Sequence, residues 1–359
     1  MPKFHTLTVG DVRRETDEAV SVAFEVPDEL KSEYRFIQGQ YITIKIDLGN
    51  GEIRRNYSIC TSPLDDELRV AIKKVEGGQF STYANEKLKT GDRLDVMTPM
   101  GRFYTELDPN NSKNYVAFAA GSGITPIMSH MKTILRLEPK STFTLYYGNK
   151  YTSSIIFRED IEDLKNEYIE RLRVFHILSR EASEFPFLQG HIDEEKCKLF
   201  LKYFTPVDEI DEVFICGPAP MIDAVKKSLT EAGVDARHIH FELFASPQQL
   251  AQRLNTKTEA TRSEGIKAKV KIILDGLATE FEMNSNDASI LDAALKNGAD
   301  LPFACKGGVC ATCRARVEEG EVEMDVNYSL EPDELERGFV LTCQSHPKTE
   351  KVVINFDEA

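Results

Sequence analysis

The feature that most constrains this chain is a cysteine run near its carboxyl end. It reads Cys305-Lys-Gly-Gly-Val-Cys310-Ala-Thr-Cys313, completed at a distance by Cys343. Four soft thiolates in the spacing C-x4-C-x2-C…C are what a [2Fe–2S] core needs, two per iron. Three ligands from one tight loop require the backbone to turn sharply and approach the metal closely. Gly307 and Gly308 permit that. Small Ala304, Ala311 and Thr312 leave room for N–H groups to point at sulfides, which helps set the potential. Structural zinc is the competing reading. Zinc sites, however, usually pair two short Cys or His knuckles, and the nearest downstream histidine, His346, lies past Cys343. The other three of the seven cysteines are Cys60, Cys197 and Cys216, and an odd total argues against a disulfide framework.

Around this run the chain changes character along its 359 residues, too many for one ordinary core. The first hundred residues are short β-branched stretches with turn punctuation, AVSVAFEV, QYITIKIDL, LRVAIKKV and DRLDVMTP, with one helical piece, STYANEKL. That pattern predicts a small antiparallel barrel. Apolar strands then alternate with helices: YVAFAAGSG, FTLYYGN, RVFHILSR and EVFICGP against PIMSHMKTILRL, REDIEDLKNEY and MIDAVKKSLTEAG. Alternation predicts a parallel, doubly wound α/β sheet. Residues 246–266 are polar and read as a linker. After it come a hairpin closed near Asp275-Gly276, a helix ASILDAALKN with Asp287 as N-cap and Gly298 past its end, the cysteine loop and a last strand, KVVINF. The expected domains are 1–107, 108–245 and 267–359, with 246–266 between them.

Composition narrows the function. A net charge of -15 argues against a nucleic-acid ligand. Residues 267–359 carry 18 Asp/Glu against 10 Lys/Arg, about half the excess in a quarter of the chain. This is either plain solubility or a docking face for a basic partner. No stretch approaches the roughly 20 apolar residues that span a bilayer. The opening MPKFHTLTVGDV has no apolar signal core. A cytoplasmic protein without membrane partners is expected.

Four further motifs carry chemistry. Arg55-Asn56-Tyr57-Ser58 follows a strand. It offers a guanidinium fork for a pyrophosphate, a flat ring for stacking and a short donor, although a Tyr in such a strand is often core. Gly77-Gly78, with Ser81, stands at a helix start, where N–H groups can meet a phosphate. The alternative is an ordinary turn capped by Ser81. Gly121-Ser-Gly123-Ile-Thr125-Pro126 runs from a strand into a helix as G-x-G-x-x-P. This departs from the G-x-G-x-x-G fingerprint, so no ribose-binding acid is assumed. Cys216-Gly217-Pro218 ends a strand, where ligands of parallel sheets gather. Cys216 by itself is a buried small hydrophobe or a functional thiol. Ser179-Arg180 ends another strand and is either a grip for a 2′-phosphate or a surface pair.

Taken in order, these motifs resemble the ferredoxin–NADP reductase superfamily over residues 1–245, and the segment from 267 resembles a plant-type ferredoxin of β-grasp fold. The resemblance implies FAD contacts at Arg55, Tyr57, Ser58, Gly77, Gly78 and Ser81. It implies nucleotide contacts at Gly121, Gly123, Thr125, Pro126, Cys216, Gly217 and Pro218. Ser179-Arg180 resembles an NADP-selecting pair, and so NADPH is favoured. Cluster ligands fall on Cys305, Cys310, Cys313 and Cys343. No side-chain acid or base is expected to be catalytic. The order reductase then ferredoxin, with FHTLTVGDV, RRNYSIC, AAGSGITPIMS and FICGPAPMI, is similar to oxygenase reductases that serve phenylacetyl-CoA ring epoxidases. Cousins serve steroid and Rieske-type hydroxylases. The implied partner is a terminal oxygenase of the diiron kind. A redox carrier or sensor without NAD(P)H turnover is the alternative from another class. Because the chain runs on past Phe244, that aromatic is not assigned to cover the flavin.

Overall fold

In the computed structural model the described residues are 3–49, 51–244, 265–286 and 288–358. The chain divides into two compact units, Met1–Ala245 and Ser246–Ala359. Most of the linker and Asp287 lie outside the described residues.

The first unit opens with β1 (Phe4–Thr16), β2 (Ala19–Glu25), β3 (Tyr41–Asp47), β4 (Glu52–Ser58), β5 (Leu68–Lys73), α1 (Gln79–Glu86) and β6 (Arg93–Met97). The strands form one antiparallel sheet in the order β4-β3-β6-β1-β2-β5. Its two edges meet where Ile59 bridges Val70 and the Cys60 N–H donates to the Arg69 carbonyl at 2.9 Å, curling the sheet into the expected barrel. Alternation places Val20, Val22, Phe24, Ile42, Ile44, Val70 and Ile72 in the barrel core. The opposite face of β2 is also covered: Ala19 joins the neighbouring core, and Ser21 accepts from buried Arg69 at 2.9 Å. This explains why β2 reads as a continuous apolar run.

The parallel part follows as β7 (Asn114–Ala120), α2 (Ile124–Leu137), β8 (Thr142–Asn149), α3 (Arg158–Glu167), β9 (Leu172–Leu178), α4 (Glu194–Tyr203), β10 (Glu212–Gly217), α5 (Ala219–Ala232) and β11 (Ile239–Leu243). Sheet order is β11-β10-β7-β8-β9. The chain winds outward from β7 through β8 and β9, then crosses back to β10. The direction reverses between β7 and β10, which opens a crevice at their carboxyl ends. The core beneath it holds Tyr115, Ala117, Ala119, Ile127, Met131 and Phe214.

The second unit contains β12 (Lys267–Leu274), β13 (Leu277–Asn284), α6 (Ile290–Lys296), β14 (Arg314–Glu319), β15 (Val322–Met324), α7 (Pro332–Glu336), β16 (Phe339–Leu341), β17 (Ser345–Pro347) and β18 (Lys351–Asn355). Five strands form a mixed sheet, β13-β12-β18-β14-β16, and β15 pairs with β17. Ile290, Leu291 and Ala294 of α6 join Val270, Ile272, Val352 and Ile354 in one core, as the β-grasp expectation requires. The hairpin turns at Asp275-Gly276, both at positive φ. The expected N-cap at Asp287 is corrected: helix α6 starts after Ser289, whose side chain accepts from the Asp292 N–H. The helix simply begins two residues later, at the next residue able to cap it.

Candidate functional site

The β7–α2 turn carries Gly121, Ser122 and Gly123. A Cβ on Gly123 would overlap the Cys216 carbonyl oxygen, so only glycine lets this turn lie against the end of β10. Gly217 ends β10, accepts from the Phe244 N–H at 3.0 Å, and is followed by Pro218 at the N-cap of α5. The Thr125 hydroxyl donates to the Ser122 carbonyl at 3.1 Å, and Pro126 is buried in the first turn of α2. Buried Tyr147 donates from its hydroxyl to the Gly121 carbonyl at 3.0 Å and steadies the turn from β8. The structure thus gathers the G-x-G-x-x-P and C-G-P motifs at the crevice between β7 and β10.

The barrel reaches the same place. Ser58 ends β4 and donates to Glu242 of β11 at 3.2 Å. Glu242 is paired in register with Cys216. Burial first, and the Glu242 carboxylate second, hold the Cys216 thiol well above its ordinary range. The thiol is fully buried and protonated at neutral pH. Lys73 at the end of β5 places its ammonium 3.6 Å from where a Gly121 Cβ would stand. Burial pulls its pKa down, against the attraction of Glu18 and with a smaller push from Lys150. A desolvated cation beside a glycine turn suits a diphosphate. Neither Glu242 nor Lys73 was singled out from sequence. The signal for Lys73 is present in retrospect: a lysine at the end of an apolar strand, four residues before a Gly-Gly turn.

Elsewhere on the barrel, Arg55 and Tyr57 alternate onto one face of β4. Tyr57 packs on Phe80 with ring centroids 5.7 Å apart. Burial raises its hydroxyl pKa. Asn56 keeps a buried Nδ2 donor with no hydrogen-bond partner among the described residues. Gly77 turns the chain at positive φ just ahead of α1. Gly78, rather than Ser81, is the N-cap of α1, and no side chain caps that end. This corrects the turn in which Ser81 would cap: Ser81 lies inside the first turn, accepting from the Val75 N–H at 3.1 Å. The first-turn N–H groups therefore have no side-chain acceptor, which is the condition an anion needs. A polar strand face, a stacking ring and an uncapped helix start together fit a flavin dinucleotide. Ser179 and Arg180 extend β9, their N–H groups donating to Asn149 and Lys150 at 2.9 Å each. Arg180 is exposed. Glu181 is engaged by the Thr152 N–H and hydroxyl at 2.7 and 2.8 Å.

In the second unit the titration of the four cysteines is tied together in two pairs, Cys305 with Cys310 and Cys313 with Cys343. The neighbouring Cys310 lowers the Cys305 thiol to about 7, and the neighbouring Cys313 lowers Cys343. Cys310 and Cys313, the other member of each pair, are raised. Among the described residues no set of three or more His, Cys, Asp and Glu side chains is grouped so as to hold a metal ion. Two thiol pairs, one per iron, are the donor set of a two-iron cluster. Loop donors already point at sulfur: the Gly307 N–H at 3.3 Å from Cys305 Sγ and the Thr312 hydroxyl at 3.1 Å from Cys310 Sγ. Gly308 sits at φ +72 with a would-be Cβ 3.0 Å from Val326, so the loop closes only on glycine.

Comparisons with known proteins agree with this division. Residues 7–104 match the oxidoreductase FAD-binding domain, 118–227 the oxidoreductase NAD-binding domain, and 272–348 the 2Fe-2S iron-sulfur cluster binding domain. The chain is 45% identical to a component of the 1,2-phenylacetyl-CoA epoxidase of Escherichia coli K12, over 99% of each chain. It is 34% identical to the ferredoxin reductase component of 3-ketosteroid-9-alpha-monooxygenase from Mycobacterium tuberculosis, over 98% of this chain and 96% of that one. Phthalate dioxygenase reductase shares the fold with a TM-score of 0.60 at 21% identity, over 98% of each chain. Among the described residues no helix is long and apolar enough to cross a membrane. By its domains, their order and its relatives, the chain belongs to the reductase components of oxygenases, oxidoreductases that use FAD, NAD(P)H and a [2Fe–2S] cluster.

Proposed function

We propose that this reductase carries electrons from NADPH, through FAD, to a cluster on Cys305, Cys310, Cys313 and Cys343, and on to a diiron oxygenase that epoxidises the ring of phenylacetyl-CoA. The carrying observation is the junction where Ser58 meets Glu242 and Lys73 meets the Gly121 turn. It brings the barrel's R-x-Y-S strand to the carboxyl edge of the parallel sheet, so that hydride donor and acceptor share one crevice. Bound FAD supplies the conversion between a two-electron hydride donor and a one-electron cluster. The chain supplies placement. Arg55 grips the flavin pyrophosphate, Tyr57 lies along the ring, Ser58 orients it, and the α1 start at Gly77, Gly78 and Ser81 receives phosphate. Gly121, Gly123, Thr125 and Pro126 cradle the nicotinamide nucleotide with Lys73 on its diphosphate, and Cys216, Gly217 and Pro218 wall the nicotinamide. Ser179 and Arg180 take the 2′-phosphate. The buried, protonated Cys216 is a packing surface there, and no side chain exchanges a proton.

The domain limits that go with this reading are 1–107 for flavin, 108–245 for nucleotide and 267–359 for the cluster, joined by 246–266. The setting is the cytoplasm. The choice of phenylacetyl-CoA rests on the 45% identity over the whole chain, against 34% for the steroid-monooxygenase reductase. Anaerobic titration of the purified protein with NADPH and with NADH, followed by visible spectroscopy, tests the electron path. Full reduction of flavin and cluster at lower NADPH than NADH is the expected result, and a preparation that neither nucleotide reduces overturns it. Reconstitution with the phenylacetyl-CoA oxygenase and, separately, a steroid hydroxylase then identifies the partner.

A further inference from the structure

Gln344 follows the fourth cysteine and is 3% exposed. Its backbone is pinned: its N–H donates to the Leu341 carbonyl at 2.8 Å, and its carbonyl accepts from the Asp325 N–H at 2.9 Å. The side-chain Nε2 donates to the Lys306 carbonyl at 3.0 Å and the Cys343 carbonyl at 2.9 Å, and stands 3.5 Å from Cys343 Sγ. The two carbonyls fix the amide orientation, since a flipped amide would set Oε1 against both oxygens. Oε1 remains buried without a hydrogen-bond partner among the described residues. The stem packs on the loop, with a would-be Gly308 Cβ 3.1 Å from Gln344 Cγ. The two carbonyls account for the amide nitrogen's place, whereas the stranded Oε1 costs stability, so packing and hydrogen bonding together leave the amide's approach to the fourth sulfur as a feature of its own.

We propose that Gln344 is a positioning residue for the cluster. It clasps the loop at Lys306 beside the fourth ligand and raises the reduction potential by holding its amide nitrogen, the positive end of the amide dipole, 3.5 Å from the Cys343 sulfur. This rests on the reading of Cys343 as a cluster ligand. One-electron reduction adds negative charge that the ligand sulfurs share, so the positive end of an amide held beside a sulfur favours the reduced state more than the oxidised. Thr312 and the Gly307 N–H act on the Cys305/Cys310 pair, and Gln344 is the side-chain amide acting on the other.

The test compares full-length holoprotein with Gln344→Met by anaerobic potentiometric titration, reading the reduced cluster by EPR. The expected result is a lower cluster midpoint, with a change of about tenfold in the one-electron equilibrium, or about 59 mV. Flavin midpoints and iron and sulfide content stay as in the unsubstituted protein. An unchanged midpoint at full cluster content overturns the proposal. If the variant fails to retain its cluster, unsubstituted protein labelled with 15N in glutamine side chains decides. A 15N hyperfine coupling to the reduced cluster supports the clasp, and its absence overturns it. Unsubstituted protein lacking iron and sulfide would instead refute the ligand assignment, a separate failure.

Discussion

The cluster loop and the barrel–sheet junction are built on opposite plans. The loop takes three of its four sulfurs from the segment Cys305 to Cys313 and adds Cys343 from just after β16. Its geometry is local, set by turns at Lys306, Gly308 and Ala311, all at positive φ. The junction collects Ser58, Lys73, Gly121, Gly123, Cys216 and Glu242 from strand ends and turns spread across the first unit. It exists only because β10 lies in register between β7 and β11, pairing Cys216 with Ala119 and Glu242. The difference teaches where each site is vulnerable. The loop fails by losing a ligand, while the junction fails by losing the packing that brings distant residues together.

The comparison can be broken most severely at the loop. Cys310→Ser is expected to abolish NADPH-driven cytochrome c reduction while leaving ferricyanide reduction, because the flavin half does not use that sulfur. Steady-state assays with both acceptors read this, and retained cytochrome c reduction would break the distinction between the two sites. Next comes acid stability of the first unit. His130 is fully buried between Phe103 and Phe214, its Nε2 donating to the Phe103 carbonyl at 2.8 Å and its Nδ1 unpartnered among the described residues. Burial lowers its pKa to about 3 despite that hydrogen bond. The neutral ring is the folded form, so its contribution is whole above the unfolded value near 6.5 and declines as pH falls from there toward 3. The decline is about 1.4 kcal/mol per pH unit. Denaturant midpoints of the first unit at pH 6.5 and 5 are expected to differ by about 2 kcal/mol from this group, and a His130→Phe variant is expected to reduce that difference.

Gly123→Ala is expected to cost about 1–3 kcal/mol through overlap with the Cys216 carbonyl. It is also expected to slow flavin reduction by NADPH, with the cluster spectrum intact. Stopped-flow and thermal melts read both, and normal hydride transfer would show that the turn need not touch β10. The smallest effect is at Lys73→Met. Losing one cation–phosphate contact is expected to raise KM for NADPH about tenfold, roughly 1.4 kcal/mol, with a smaller change in kcat and a weaker dependence on salt. An unchanged KM would remove the barrel from nucleotide binding.

Legibility in the sequence follows the same division. The cysteine spacing, the turn at Asp275-Gly276 and the strand–glycine–helix passage at 114–126 are short-range patterns, and each is readable in the chain alone. Glu242 is not, because nothing within a few residues marks it, and Lys73 is legible only as a lysine near a Gly-Gly turn, since the Gly121 turn it faces comes from another part of the chain. Glu242 lies in an unremarkable stretch, and its role depends on a neighbour twenty-six positions away. The start of α6 falls two residues beyond its expected place because Asp287 and Ser289 are both good caps, and local chemistry does not choose between them.

The sequence by itself determined which groups could be bound: four soft sulfurs at ferredoxin spacing and glycine turns where phosphates approach. Tertiary structure alone decided which residues from distant strands share a crevice, that Cys216 is buried beside a carboxylate, and that Gln344 reaches the Lys306 carbonyl across the cysteine loop. The physical reason is range: ligand spacing and turn propensity act over a few residues, whereas strand register and domain packing bring together atoms that the chain keeps far apart.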